Sequence, residues 1–291
     1  MDGLPDLLDY FGFVFHFPGL LGGPNTFYRE YQDVMNNIRY KPGQVPNSRW
    51  IPALINFLKG VVYLIVYVIS SVKLPTDVLY EDSFHEKSLL LRILIIYITF
   101  LGVRCRYYGL WKLGEGICIC NGFGEQEDAD GKKNWNGISN VDVIPFETCS
   151  SFSQATHIWN KRTQKWLQMC IYERSNFNQF YVFMVSAFWH GFYPSYYMGF
   201  IYGSCLQALN KICTKKLWPR VQGTKFERIY LILGNICVFV FGSFMLEGMF
   251  SYTVERTLLC WKQASYYGLV VLPFAFIILT LIPAVKTEKK E

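Results

Sequence analysis

Four runs of apolar residues along the chain are long enough to cross a lipid bilayer. They cover residues 50–72, 89–110, 229–250 and 264–285. A membrane-spanning helix needs about 20 predominantly apolar residues. The pattern therefore predicts four spanning helices that are separated by more polar segments.

A fifth apolar stretch, residues 178–210, has a different character. It has no charged residue, is rich in aromatic side chains and carries His190 near its middle. Proline lacks a backbone donor and disfavours helix at the residue before it, so Gly191 and Pro194 predict two helical arms and not one long helix. A non-helical turn at membrane depth is tolerated where protein or a water-filled cavity surrounds it. We therefore expect a hairpin with the histidine at or near its tip.

Two segments are predicted to lie in the membrane interface. Residues 10–24 are apolar but too short and too broken by glycine and proline to span, and they lead into the amphipathic stretch 27–40. Residues 157–174 have helical spacing, with an apolar stripe opposite Lys161 and Lys165, which predicts an amphipathic helix in the interface plane. His16 is expected to be hydrogen-bonded at the interface.

The remaining segments are polar. Residues 112–177 are predicted to be a largely polar region, and residues 251–262 a short polar link between two spans. The acidic positions Glu125, Glu127, Asp128 and Asp130 are interpreted as a solvated loop.

Composition narrows the class of protein. Of 291 residues, 52% are hydrophobic and only 17% are charged, whereas soluble domains carry about 25% charged residues. The fold class predicted is an all-α polytopic membrane protein that forms a single domain over residues 1–291.

Several other classes are disfavoured. No dense basic tract with interleaved aromatic residues points to nucleic acid, and nine cysteines, several of them in apolar runs, do not suggest a disulfide scaffold. Cys118 and Cys120 have the wrong spacing for a zinc knuckle and no nearby histidine, so we expect no metal. The acidic N-terminus is not that of a secretory signal peptide.

The distribution of positive charge favours the hairpin. If residues 178–210 return to the side they entered, 20 of the 28 lysines and arginines lie on one face of the membrane, in 22–50, 112–177, 211–228 and the tail. Cytoplasmic loops carry an excess of these residues. The C-terminal tail is therefore predicted to be cytoplasmic.

Ionisable groups near the spans are the candidates for chemistry. A histidine inside a membrane is costly, so His190 is a functional-site hypothesis by default. Arg104 and Arg106 are followed by Tyr107, Tyr108 and Trp111, an arrangement typical of an interfacial belt. The two arginines either anchor lipid headgroups or bind a phosphate group, which suits the guanidinium fork.

Short motifs indicate a family. SAFWHG (186–191) followed by FYPSYY (192–197), and WN (159–160) followed by KWL (165–167), resemble the signature of membrane-bound O-acyltransferases. Three further features resemble the lysophospholipid acyltransferase branch of this family: FPGLLGGP (17–24), YYGLWKLGEGICICNGFG (107–124) and Asn140. The resemblance covers nearly the whole chain in the same order.

The resemblance implies a helical bundle around an intramembrane chamber and acyl transfer from acyl-coenzyme A to the free hydroxyl of a lysophospholipid. It places the reaction in the endoplasmic reticulum membrane, with acyl-coenzyme A as a co-substrate and no cofactor. The family's catalytic histidine falls on His190 and its catalytic asparagine on Asn160, thirty positions apart.

Further positions are candidates for binding substrate. Phe188, Trp189, Tyr193, Tyr196 and Tyr197 either line an acyl channel or are plain packing. The full set of substrate-binding candidates is Trp159, Trp189, Phe188, Tyr193, Tyr196, Glu115, Tyr108 and Trp111. Glu115 and Glu147 are candidates for supporting the site.

The proposed residue types fit acyl transfer. A neutral imidazole can take the proton of an alcohol as it attacks a thioester, and burial favours the neutral ring. Asn160 either orients that ring or donates its amide N–H to the developing oxyanion. The sequence does not choose between these roles.

Two alternatives remain open. The acceptor could be a sterol, a diacylglycerol or a protein, although the 107–124 block argues against this. Members of the family have several more transmembrane helices before the segment that corresponds to residues 17–24. We therefore expect the chain to lack them, which leaves open a non-catalytic membrane protein with structural roles for His190 and Asn160.

Overall fold

The computed structural model describes residues 5–20 and 22–283, and these form a helical membrane protein. The helices are α1 (Leu7–Val14), α2 (Phe17–Leu20), α3 (Tyr28–Met35), α4 (Trp50–Lys73), α5 (Asp82–His85), α6 (Leu89–Cys120), α7 (Val143–Glu147), α8 (Phe152–Ile158), α9 (Lys161–Leu167), α10 (Gln179–His190), α11 (Pro194–Lys216), α12 (Trp218–Val221), α13 (Glu227–Phe250), α14 (Val254–Gln263) and α15 (Tyr267–Leu281). Strands β1 (Gln126–Glu127) and β2 (Lys133–Asn134) form a small antiparallel hairpin. The prediction of an all-α fold is thus confirmed, with this hairpin as an addition.

The described residues cluster in two compact units. The first unit contains the residues up to Ile69 together with Gly102–Val143 and Ile158–Lys165. The second unit contains Ser70–Leu101, Ile144–His157 and the residues from Trp166 onwards. The single domain over residues 1–291 stays a prediction.

The predicted spans at 50–72 and 229–250 are confirmed as the helices α4 and α13. Both are apolar and long enough to cross a membrane. The helix predicted at 89–110 begins where expected, at Leu89, but it continues to Cys120. The polar region therefore starts about ten residues later than the sequence predicted.

Small residues explain the extension of α6. A Cβ added to Gly60 of α4 would lie 2.8 Å from Leu113 Cγ, and one added to Gly116 would lie 2.9 Å from the Ala53 carbonyl oxygen. The two helices therefore approach closely along glycines, as membrane helices often do. This packing stabilises residues 111–120 as helix. At its end, residues of both helices join a buried hydrophobic cluster of Ala53, Cys118, Ile119, Phe123, Trp135 and Ile138.

The C-terminal span differs from its prediction. The residues predicted as a polar link form most of α14, and α15 follows after a bend of 75°. Ser265 and Tyr266 turn the chain with left-handed backbone conformations (φ of 54° and 51°). Because α14 buries Thr257, Cys260 and Trp261, it packs against protein and is not a solvent-exposed link. Residues 284 and 285 of the predicted span lie outside the described residues.

The hairpin is confirmed as two helical arms. The helices α10 and α11 pack along each other, with a Phe183–Phe200 ring contact of 6.3 Å. The arms are unequal, since α10 has 12 residues and α11 has 23. The second arm ends at Lys216, beyond the predicted limit at residue 210.

The predicted interfacial helix over 157–174 is wrong as a single element. The helix α8 ends at Ile158, α9 begins at Lys161, and a π-helical turn (Gln168–Tyr172) and a 3₁₀ turn (Glu173–Ser175) follow. The amphipathic stretch 27–40 is helical only over α3. The acidic loop is solvated at Glu127, Asp128 and Asp130, but the Glu125 carboxylate accepts a 2.6 Å hydrogen bond from the Tyr40 hydroxyl.

Candidate active site

His190 is the last residue of α10, in the second unit. Asn178 caps the start of this helix by accepting a 3.1 Å hydrogen bond from the Tyr181 amide. Gly191 ends it with φ 134° and ψ −179°, a conformation that only glycine adopts without strain. Pro194 then opens α11 at a position where its missing N–H is not needed. The sequence Gly-x-x-Pro thus holds the imidazole at the turn of the hairpin.

Aromatic rings surround the imidazole. The centroids of Trp189, Phe200 and Tyr196 lie 5.0, 5.2 and 5.9 Å from the centroid of the His190 ring. His190 itself is exposed, as are Phe188 (59%) and Trp189 (59%). Among the residues that the structure describes, the ring is therefore partly covered and not enclosed, and the predicted chamber stays a prediction.

Asn160 lies in the first unit, at the break between α8 and α9. Its φ of 50° is left-handed, which asparagine tolerates better than most residues. Its carbonyl oxygen accepts a 2.8 Å hydrogen bond from the Gln164 amide, so Asn160 occupies the N-cap position of α9. The predicted continuous helix is therefore broken at Asn160, whose left-handed backbone separates α8 from α9.

An aromatic cluster fixes the residue before Asn160. The Trp159 ring packs edge-to-face on Trp111 (4.8 Å), Tyr107 (5.7 Å) and Tyr108 (5.8 Å). Tyr108 and Trp111 are buried, so the predicted interfacial belt is wrong for these two residues. They hold Trp159 against α6.

A buried polar network fixes the residues after Asn160. The Asn140 carbonyl and side-chain oxygens accept hydrogen bonds from the backbone amides of Lys161 (2.8 Å) and Arg162 (3.1 Å). Asn140 in turn donates its backbone N–H to the Glu115 carboxylate at 2.7 Å. Glu115 is 1% exposed and also accepts a 2.6 Å hydrogen bond from Lys112.

Arg162 completes this network. Its guanidinium donates to the carbonyl oxygens of Asn25 (2.7 Å) and Gly137 (3.1 Å), and it forms an ion pair with Glu30. Neither Arg162 nor Lys112 was predicted from the sequence, and Asn140 was named there without a role. The only local signal was the position of Arg162, two residues after Asn160.

The other candidates are distributed between the two units. Glu115, Tyr108, Trp111 and Trp159 are brought together around Asn160 in the first unit. Phe188, Trp189, Tyr193, Tyr196 and Tyr197 lie at or near the turn that carries His190 in the second unit. Glu147 is also in the second unit, where its backbone oxygen accepts a 3.1 Å hydrogen bond from the Asn235 side chain.

The two arginines at the end of the predicted span have different surroundings. Arg104 is buried (3% exposed), so it does not anchor lipid headgroups. Arg106 lies over the rings of Tyr107 (5.1 Å) and Tyr67 (5.6 Å), which cover its guanidinium with cation–π contacts.

His16 is buried among aromatic rings, and its expected hydrogen bond at the interface stays a prediction. Its ring contacts Phe123 (4.9 Å) and Tyr31 (5.5 Å), and its Nδ1 has no hydrogen-bond partner among the described residues. Burial lowers the pKa of the His16 imidazole below its ordinary value of 6.5.

A pH dependence of stability follows from His16. Because the folded chain binds this proton less readily than the unfolded chain, the contribution of His16 to stability is complete above pH 6.5 and is lost as the pH falls below it. We expect the His16→Leu variant to lose less stability than wild type between about pH 7 and pH 5. Thermal unfolding at a series of pH values measures this, with His157→Leu, an exposed histidine, as the control. An identical pH profile for wild type and His16→Leu would contradict it.

Comparison with known proteins places the chain in a family. Residues 2–255 match the family described as membrane-bound O-acyltransferases, a range that includes both Asn160 and His190. A lysophospholipid acyltransferase of Schizosaccharomyces pombe is 28% identical over 90% of this chain and 56% of its own length. One of Saccharomyces cerevisiae is 26% identical over 94% and 49%, and lysophospholipid acyltransferase 6 of Drosophila melanogaster is 29% identical over 78% and 34%. The chain thus spans about half the length, or less, of these relatives. It belongs to the membrane-bound O-acyltransferase family.

Proposed function

We propose that the protein transfers a fatty acyl group from acyl-coenzyme A to the free hydroxyl of a lysophospholipid, in the endoplasmic reticulum membrane. The observation that carries the proposal is the family match over residues 2–255, which includes both residues proposed as catalytic. The relatives of similar sequence are named lysophospholipid acyltransferases, which supports this acceptor over a sterol, a diacylglycerol or a protein.

His190 acts as the general base. Its neutral imidazole takes the proton of the lysophospholipid hydroxyl while the oxygen attacks the thioester carbonyl. Collapse of the tetrahedral intermediate forms the new ester and expels the coenzyme A thiolate, which receives the proton from the imidazolium. The reaction needs only the two substrates, without a cofactor or a metal ion.

The exposed aromatic residues at the hairpin turn supply apolar surface for the acyl chain. Phe188 and Trp189 are each 59% exposed and lie directly before the imidazole in sequence. Burial of this surface against an acyl chain contributes about 25 cal/mol per Å² of apolar area. Trp159, Tyr108 and Trp111, by contrast, act by holding the Asn160 segment in place.

Contacts at the end of α15 support the predicted orientation of the protein in the membrane. Lys216 donates hydrogen bonds to the carbonyl oxygens of Leu279 (2.8 Å) and Thr280 (3.1 Å), and Arg220 donates to that of Pro283 (2.7 Å). The last described residues therefore lie beside the basic segment 211–228. By the positive-inside rule, this end of the protein and the tail face the cytoplasm.

The acyl-transfer proposal is tested with a panel of acceptors. Membranes that contain the full chain are incubated with labelled acyl-coenzyme A and, separately, with lysophospholipids of several headgroups, a sterol and a diacylglycerol. We expect label in diacyl phospholipids. Label in a sterol ester or a triacylglycerol alone would contradict the lysophospholipid acceptor, and no label in any product would contradict acyl transfer by this chain.

The role of the Asn160 carboxamide is tested with the variant Asn160→Gly. Glycine removes the carboxamide but tolerates the left-handed backbone, so it separates the role of the side chain from backbone strain. If the amide donates to the oxyanion, Asn160→Gly lowers the acylation rate by about 10² to 10³ at unchanged protein abundance. A rate within twofold of wild type would show that the carboxamide takes no part.

A further inference from the structure

Three residues share the side of α10 that packs against α11. Phe183, Ala187 and His190 are spaced four and three residues apart, which places them one above the other on a single helical face. The helices α10 and α11 pack along each other, and Ala187 is fully buried (0% exposed). His190 therefore projects from the packed face of α10, although the helix ends there and leaves its side chain exposed.

The facing side of α11 carries Tyr196 and Phe200, which are about one helical turn apart. Both rings contact the imidazole, at 5.9 and 5.2 Å between centroids. Phe200 also packs on Phe183, with 6.3 Å between centroids and 61° between ring planes. Phe183 and His190 lie about 10 Å apart along the helix axis. Phe200 contacts both because it lies between them, where the small side chain of Ala187 leaves room for a ring.

The Phe183 ring is held against the backbone of α11. Gly203 is buried, and a Cβ added to it would lie 3.2 Å from Phe183 Cε1 and 3.7 Å from Cδ1. A ring packed this closely has little freedom to shift away from Phe200. Contacts therefore run without a gap from Gly203 through Phe183 and Phe200 to the imidazole.

Phe200 constrains the imidazole more than its other two ring neighbours do. Trp189 is 59% exposed and precedes the histidine on the same helix, and Tyr196 is the most distant of the three rings. Phe200 is half-buried, and its plane is inclined by 34° to the imidazole, compared with 81° for Trp189 and 57° for Tyr196. Rotation of the imidazole about χ2 is therefore opposed by a ring that both helices hold in place.

The orientation of the imidazole matters because a general base must reach the proton that it accepts within hydrogen-bond distance. A misplacement of about 1 Å can lower a rate about a hundredfold. We propose that Phe200 is a positioning residue for acyl transfer, which holds the His190 imidazole in the orientation from which its unprotonated nitrogen reaches the acceptor hydroxyl. Phe200 acts through His190 and touches no reacting atom. The inference rests on the proposed function.

Kinetics of the full chain separate this role from contact with the acyl chain. We expect Phe200→Ala to lower kcat about 10- to 100-fold. KM for acyl-coenzyme A should stay within about twofold of wild type, and the loss should be the same for short and long acyl chains. Phe200→Tyr, which keeps the ring, should retain most of the wild-type kcat. A raised KM with unchanged kcat, or a loss that depends on acyl-chain length, would overturn the proposal.

Phe241→Ala is the matched control for a general loss of packing. Phe241 is also half-buried, lies in the second unit and packs on the ring of Tyr267 at 6.0 Å. We expect its kcat per folded protein to equal that of wild type, with the folded fraction measured by thermal unfolding and by abundance in the membrane. If Phe241→Ala and Phe200→Ala lost kcat equally, the proposal would be overturned.

The coupling between Phe200 and His190 is tested with a double variant. The residual rate of His190→Ala/Phe200→Ala should equal that of His190→Ala, because Phe200 then has no imidazole to hold. A further fall in the double variant would show that Phe200 acts by another route and would overturn the proposal.

A spectroscopic measurement tests the contact without turnover. The chain has four histidines, so NMR of protein with isotope-labelled histidine gives few signals, and His190→Ala identifies the signal of His190. We expect Phe200→Ala to shift that signal, because the imidazole loses an aromatic neighbour, and Phe241→Ala to leave it in place. An unshifted signal in Phe200→Ala would overturn the proposal. A shift in Phe200→Ala together with a wild-type chain that transfers no acyl group would contradict the proposed function and leave the contact between Phe200 and the imidazole supported.

Discussion

Replacing His190 with alanine is expected to lower acyl transfer by about 10² to 10⁴, the usual contribution of a general base. The amount of folded protein in the membrane should stay the same, because His190 is exposed and the contacts described for its ring are with aromatic neighbours. The measurement is the initial rate of label transfer from acyl-coenzyme A to a lysophospholipid, normalised to protein abundance.

His157→Ala is the control for this variant. His157 is also exposed and lies in the second unit, on α8. We expect it to transfer acyl groups at the wild-type rate. A His190→Ala variant as active as His157→Ala would refute the role of His190 as base.

Replacing Arg162 with alanine is expected to cost about 3 kcal/mol of stability. The substitution leaves Glu30 without its ion-pair partner and leaves the Asn25 and Gly137 carbonyl oxygens without these donors. The Arg162 side chain is 7% exposed, so water replaces these bonds poorly. Thermal unfolding of the solubilised protein should show a midpoint several degrees below that of wild type, and acyl transfer should fall as the Asn160 segment loosens.

Lys161→Ala provides the comparison for Arg162. Lys161 pairs with Asp142 at 2.8 Å, but both side chains are partly exposed (28% and 48%). Exposed pairs contribute less than about 1 kcal/mol. If Lys161→Ala destabilised the protein as much as Arg162→Ala, the buried network would not be what holds the segment.

The spans and the hairpin were predictable because local sequence determines them. The apolar runs of α4 and α13 are long enough to predict spanning helices, and Gly191 and Pro194 both disfavour a continuous helix through the turn. The α14–α15 corner was not predictable in the same way. Its polar residues are buried by packing against other helices, and local hydropathy does not record such packing.

The residues of the candidate site also differ in how far local sequence could predict them. His190 was identifiable as a lone imidazole in an apolar stretch. The break at Asn160 was not, because residues 157–174 keep helical periodicity through it. What interrupts the helix is the pair of hydrogen bonds that Asn140, about 20 residues away, accepts from the backbone amides of Lys161 and Arg162, together with the packing of Trp159 on α6. Tyr108 and Trp111 were assigned to the membrane interface because sequence alone cannot show that Trp159 covers them.

The most direct test of the account is to measure, in one reaction, the coenzyme A thiol released and the phospholipid ester formed. Purified wild-type chain in lipid nanodiscs, given acyl-coenzyme A and a lysophospholipid, should release one thiol for each ester. His190→Ala should produce neither above background. Ester formation at equal rates in both proteins, or thiol release by wild type without ester, would contradict histidine-assisted acyl transfer.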